Sequence, residues 1–159
     1  MISESELKAM LLMPVEDFCR VGLLHLHMPA SEFVSVFANP DFVYGSSTLE
    51  LGTAFPRCLV YRFLKSITVY IDVIESRVYQ IQLGGDFKGD LFNGVRLRDS
   101  VSELKRRNSL VRFIVEEEYI YIHKCPLVFG ADDDIRFDSR NLSNQIIENA
   151  RIRQWDEVL

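Results

Sequence analysis

Hydrophobic and polar positions alternate most regularly between Cys58 and Leu83. Within that stretch Ile67, Val69, Ile71 and Val73 share one parity, and Thr68, Tyr70 and Asp72 the other. A period of two sends successive side chains to opposite faces, which predicts a half-buried β-strand. Polar breaks at Lys65-Ser66 and Glu75-Ser76-Arg77 divide the stretch into three strands in succession. The β-branched face should seat on helices, and the polar-aromatic face should meet water or a partner.

The flanks supply the helices. Ser3 followed by Glu6 fits a capping box, predicting a helix to about Met13 with Leu7, Met10 and Leu11 inward. Pro14 either interrupts that helix or begins another that carries Val15, Phe18 and Cys19 inward, and Gly22 ends the pattern. Leu24 and Leu26 alternate with His25 and His27 as a short extended segment. Pro29 to Phe37 predicts a helix with Phe33, Val34 and Phe37 on one side, stopped by Asn39-Pro40. A strand is expected near Phe42 to Tyr44, then a loop through Pro56.

Downstream, Gly84-Gly85-Asp86 and Gly89-Asp90 mark a long turn, and Asp99 or Ser100 caps a helix to about Arg107. Leu110–Val115 and Tyr119–His123 predict a hairpin around Glu116-Glu117-Glu118, with a short strand at Leu127–Phe129. Between Asn141 and Leu159, Ile146, Ile147, Ala150 and Ile152 fit either a helix or a final strand, with the balance towards a strand at Ala150–Trp155.

One segment recurs. Leu26-His-Met-Pro-Ala-Ser-Glu-Phe33 aligns with Leu97-Arg-Asp-Ser-Val-Ser-Glu-Leu104 at an offset of 71 (97 minus 26), matching Leu, Ser and Glu in identity. Each copy follows a glycine, Gly22 or Gly94, and precedes strand-rich sequence. A cap-started helix followed by a strand meander onto which it packs is the unit this implies. The pattern resembles the tandem helix-on-sheet modules of the beta-lactamase inhibitor protein family. It is similar also to modules of small outer-membrane assembly lipoproteins and to many bacterial immunity-type proteins. The chain departs from it in lacking a glycine after Leu26 or Leu97 and a lipoprotein cysteine, and its start does not read as an export signal. Those departures favour a cytosolic relative, and the resemblance implies protein binding, often inhibitory, and not catalysis.

The expected fold is therefore α+β, with antiparallel sheet covered by helices. It is read as one compact domain over residues 1–159, either with one continuous sheet or as two related halves of about 1–86 and 87–159. Composition is that of an ordinary globular chain, with 48% hydrophobic and 26% charged residues in a length of 159. A net charge of -5 disfavours a nucleic-acid or anionic-membrane surface, and no apolar run reaches the roughly 20 residues of a membrane span. The basic run Lys105-Arg106-Arg107 ends a predicted helix, where it complements the helix dipole. Cys19, Cys58 and Cys125 are far apart and odd in number, which predicts reduced thiols and a cytoplasmic setting.

Chemistry is sparse. His25 and His27 form an H-x-H pair, but His123 is the only other histidine, too few ligands for a zinc site, and a polar strand face accounts for them. Asp132, Asp133, Asp134 and Asp138 lack EF-hand spacing and read as a solvated acidic loop. No G-x-S-x-G elbow, Cys-His pattern or phosphate-cradling glycine motif is present. No catalytic residue, metal or cofactor is expected.

The outer sheet face carries more signal. Arg62, Tyr70, Asp72, Gln80, Gln82, Tyr119, Tyr121 and His123 are predicted to share it. Tyr and Arg are enriched at interface hot spots, although aromatics also favour strands for packing alone. The partner-contact set is Arg62, Tyr70, Asp72, Tyr119 and Tyr121, with Glu117, Asp132, Asp133 and Asp134 contributed by acidic loops. The leading expectation is a cytosolic protein-binding inhibitor, an immunity protein that neutralises a basic, toxin-like protein by steric occlusion. The alternatives are a small-ligand or enzymatic domain with its pocket between helices and sheet, and an adaptor subunit of a larger assembly.

Overall fold

The computed structural model describes residues 2–37, 49–55, 58–114, 119–122, 126–130 and 142–153. The expected strand at 42–44, the acidic stretches 116–118 and 131–134, and residues 123–125 lie outside the described residues. In chain order the elements are α1 (Glu4–Met10), β1 (Val15–Glu16), β2 (Arg20–Val21), β3 (Leu24–His25) and α2 (Ala30–Phe37). There follow β4 (Leu49–Phe55), β5 (Cys58–Phe63), β6 (Ile67–Asp72), β7 (Arg77–Leu83) and α3 (Val101–Arg107). The chain then forms β8 (Val111–Ile114), β9 (Tyr119–Ile122), β10 (Leu127–Gly130), a 3₁₀ turn (Leu142–Asn144) and β11 (Asn149–Arg153). The fold is α+β: β1-β2-β3 form a small sheet, and the others form an eight-stranded antiparallel sheet in the order β4-β5-β6-β7-β11-β10-β9-β8.

Alternation explains the central strands. Ile67, Val69 and Ile71 of β6 are buried opposite Phe63, Tyr61 and Leu59 of β5 on one side. On the other side they meet Leu83, Ile81 and Val78 of β7. Helix α2 seats Phe33 and Phe37 on this floor, with the Phe33 ring 4.9 Å from Tyr61, 5.2 Å from Phe37 and 6.0 Å from Phe63. Val101 and Leu104 of α3 enter the same contiguous core, which continues through Ile120, Phe129 and Ile152.

The two halves repeat their geometry as well as their order. Each is a helix followed by a four-strand meander, and the meanders meet where their last strands, β7 and β11, pair. Ile81 stands opposite Ile152, residues 71 apart (152 minus 81), the same offset as the helix starts Ala30 and Val101. Residues before the helices are tied alike. In the first half His27 N donates to Val78 O at 2.8 Å, Val78 N to Met28 O at 2.9 Å and Ala30 N to Ser76 O at 2.8 Å. In the second, Arg98 N donates to Ile147 O at 2.7 Å, Ile147 N to Asp99 O at 2.9 Å and Val101 N to Gln145 O at 2.9 Å. Even the left-handed backbone matches, with φ of 64° at His27 and 72° at Arg98.

Several local expectations give way to tertiary contacts. α1 has its capping box, but stops at Met10, because Leu11, Leu12 and Met13 bond three residues back and tighten the last turn. Past Pro14 there is no second helix. Asp17 and Phe18 adopt φ of 48° and 57° in a turn closed by Cys19 N to Glu16 O, which folds β1 onto β2 and buries Val21 and Leu24. His27 lies beyond β3, so the two histidines are not neighbours on one strand face. Val34 is 47% exposed, since one step around α2 from Phe33 carries it off the core. Val73 is likewise exposed, because β6 ends at Asp72. The stretch before Pro56 is the strand β4, paired with β5 from Leu49↔Phe63 to Phe55↔Cys58. The final segment is the strand β11.

Phe33→Ala should cost about 3–5 kcal/mol, the range for emptying a fully buried aromatic site. Urea unfolding followed by circular dichroism would show the midpoint shift, whereas a change within 1 kcal/mol (about fivefold in the folding equilibrium) would place α2 off the sheet.

Candidate functional site

Opposite the helices, the sheet displays a polar face whose order is set by strand register. One row crosses it as Arg62, Thr68, Gln82, Arg151, Val128, Tyr121 and Arg112, each paired with the next on the adjoining strand. The neighbouring row runs Val60, Tyr70, Gln80 and Arg153. Across the β7–β11 seam, Gln80 and Gln82 of the first half face Arg153 and Arg151 of the second. The halves thus contribute different chemistry at matching positions.

A register shift in β7 between the Tyr70–Gln80 and Ile71–Val78 pairs inserts Tyr79 as an extra residue. Strict alternation from Ile81 would send Tyr79 into the core; the bulge returns it to the polar face. There its ring lies 6.1 Å from that of Tyr70, and its hydroxyl is 3.4 Å from Cys58 Sγ. Burial, and next the hydrogen bond with Cys58, push the Tyr79 phenol above its usual value of 10.0, so the hydroxyl stays protonated. Tyr70 donates its hydroxyl to Gln82 Oε1 at 3.1 Å. That bond orients the Gln82 amide.

Together these residues line a trough of about 990 Å³ over β5, β6, β7 and β11. Ser66, Thr68 and Asn149, the buried polar residues among those described, all line it. Arg62, Lys65 and Arg151 bring positive charge, and Glu148 is the carboxylate in the lining among the described residues. At one end the β5–β6 turn places Leu64 and Lys65 at φ of 51° and 56°. The turn is held from outside: Gly84 N donates to Ser66 O at 2.8 Å, and Asp86 N to Ser66 Oγ at 3.0 Å. Gly85, at φ +56°, suits glycine, because a Cβ there would be strained by the left-handed backbone and would stand 3.0 Å from both Lys65 O and Ser66 Oγ.

No protein-family model and no curated protein matches the chain. Among solved structures, the uncharacterized protein yfeY from Escherichia coli is similar over 67% of this chain and 80% of its own, at 12% identity and a TM-score of 0.44.

The residues expected at the partner surface separate into groups. Arg62 and Tyr70 line the trough. Tyr121 lies on the same face farther out, between Val128 and Arg112 in register. Asp72 ends β6, where Oδ1 accepts from Ile74 N at 2.8 Å and Glu75 N at 3.0 Å, so its carboxylate shapes the β6–β7 turn. Tyr119 pairs with Ile114 at the start of β9. Glu117, Asp132, Asp133 and Asp134, like His123, fall outside the described residues. Lys65, Ser66, Tyr79, Asn149 and Arg151 were not singled out by sequence, and only Gly84-Gly85 hinted at close backbone approach beside a turn.

No group of three or more His, Cys, Asp or Glu suited to a metal occurs among the described residues. His25 Nδ1 lies 2.9 Å from Leu26 O, which can only accept, so Nδ1 carries the proton. No helix among the described residues is long and apolar enough to cross a membrane.

Two measurements probe this geometry. Gly85→Ala should destabilise the protein by about 1–2 kcal/mol, the cost of a left-handed non-glycine residue, read by urea unfolding. A neutral effect would show that residue 85 does not hold the left-handed conformation. Because the folded Tyr79 keeps its proton beyond the point where the unfolded chain loses it, stability should fall as pH rises above 10.0. Tyr79→Phe should flatten that decline, and identical slopes in the two proteins would remove the phenol from the trough wall.

Proposed function

We propose that this chain is a protein-binding module that occludes another protein with the polar face of its eight-stranded sheet, in the manner of an immunity-type inhibitor. The observation that carries the reading is the outer face itself. It places tyrosines and arginines on a paired-strand scaffold, with Arg62 and Arg112 exposed and Tyr70 and Tyr121 half-buried. Such side chains offer large contact area with polar tips at modest entropy cost. Strands also hold them to one geometry, which reduces what binding must order.

Charge acts at two distances. The net charge of -5 attracts a basic, toxin-like partner over the range set by ionic screening, about 8–10 Å. At contact, the local arginines and lysine of the trough meet whatever the partner places there. A second reading, a small polar ligand held without a protein partner, is favoured by the convergence of Ser66, Thr68 and Asn149 in one hollow. On the helix side, the described side chains fill the space as core, and the hollow lies on the opposite face.

Affinity capture with the intact protein, its candidate partner then purified and titrated, tests the occlusion reading. Tyr70→Ala and Tyr121→Ala, each checked for native circular dichroism, should weaken that complex about tenfold or more, or about 1.4 kcal/mol. Unchanged affinity in both would take the contact off the sheet face.

A further inference from the structure

We propose that the outer edge of β8 is a self-association surface, where a second copy of this chain pairs strand to strand, and that Arg112 guards it. The proposal concerns the edge of the sheet and stands apart from the sheet-face reading.

Register shows which groups the edge presents. β8 ends the eight-stranded sheet, so one side of it has no neighbouring strand among the described residues. Arg153 N donates to Pro126 O at 2.9 Å, one step beyond the Leu127↔Ile152 pair. Bonded and non-bonded pairs alternate along an antiparallel ladder, so Val128 bonds β11 and Phe129 bonds Ile120 of β9. By the same alternation, Arg112 and Ile114 bond Tyr121 and Tyr119. Val111 and Phe113 therefore turn their N–H and C=O groups away from the sheet. Val111 is sealed: its N–H donates to Asn108 O at 3.5 Å, and its carbonyl accepts from Arg112 Nη1 at 3.0 Å. The same Nη1 donates to Ser109 O at 3.0 Å, which holds the guanidinium across the start of the edge. The outward groups of Phe113 have no such partner among the described residues.

The open groups suit a second copy. A donor and an acceptor on one residue are what two copies exchange about a twofold axis, each Phe113 donating to and accepting from the other. In that register Arg112 falls beside the second copy's Ile114, so the two guanidinium groups are not opposed. Phe113 packs half-buried against the core, and its ring meets its twin's as a cross-strand aromatic pair. The opposite edge is unsuited to this. β4 contains Gly52 and a register shift between Thr53 and Phe55, irregularities that spoil a strand as a template. Pairing of β8 with β8 closes at two copies, whereas pairing of β8 with β4 would run on from copy to copy. With Arg112 in place only the Phe113 exchange forms; its release frees Val111 O and lengthens the ladder. A strand of 4 residues covers far less than the roughly 800 Å² per partner of a standard interface, so the contact is weak and the guard decides its strength.

The test is sedimentation velocity of the intact protein and of Arg112→Ala over a concentration series, with amide hydrogen exchange read by nuclear magnetic resonance. Arg112 is exposed, so the variant should keep native circular dichroism. It should dimerise about tenfold more tightly than the natural chain, and assembly should stop at two copies. The Phe113 amide should exchange quickly in the monomer and slowly in the dimer, while the Ile114 amide, bonded to β9, changes little. Equal association of the two proteins, growth past the dimer, or a dimer in which Phe113 exchange is unaltered would each overturn the proposal. If Arg112→Ala fails to fold, the natural chain still decides: slower Phe113 exchange as concentration rises supports edge pairing, and unchanged exchange up to the highest concentration overturns it.

Discussion

The pairing of β7 with β11 is the contact on which the rest of the molecule depends. Each half ends in a strand whose free edge would expose unpaired amides and carbonyls. Joining the two last strands closes both inner edges at once and sets Ile81 against Ile152, and Leu83 against Ala150, inside a common core. It also brings Gln82 beside Arg151 on the other face. Core and trough are therefore two sides of the same seam, and a slip of one residue would exchange their side chains.

The trough exists because the sheet departs locally from regularity. The extra residue in β7 turns Tyr79 out of the core, and the left-handed turn at Leu64 and Lys65 points its backbone towards Gly85. Left-handed backbone at two non-glycine residues costs about 1–2 kcal/mol each, which the hydrogen bonds from Gly84 and Asp86 to Ser66 help offset. Strain of this kind persists where surrounding structure holds it. Here it borders the hollow that gathers the buried polar residues among those described.

The chain's charge is uneven in a way that composition conceals. Acidic residues dominate the total, yet the described sheet face has arginine at positions 62, 112, 151 and 153. Long-range attraction and contact chemistry can then have opposite signs, because screening separates them within about a nanometre.

Where one short-range rule governs, the sequence by itself determined the outcome. The period of two from Cys58 to Leu83 specified three strands and their inward faces, since a half-buried strand must alternate. Capping serines specified the starts of α1 and α3, since a helix terminus needs acceptors for its free amides. Arg62 and Tyr70 at the site were legible for the same reason of parity. Tertiary structure decided the rest. The strands β1, β2 and β4 are short or contain glycine and exist through their partners, so local preference was silent or misleading there. Tyr79 reached the polar face only through a bulge, and Arg151 only because an ambiguous tail became the strand that closes the sheet. A side chain's face can be read along one strand, but its neighbour is fixed by register between strands distant in sequence, and the trough is made of such neighbours.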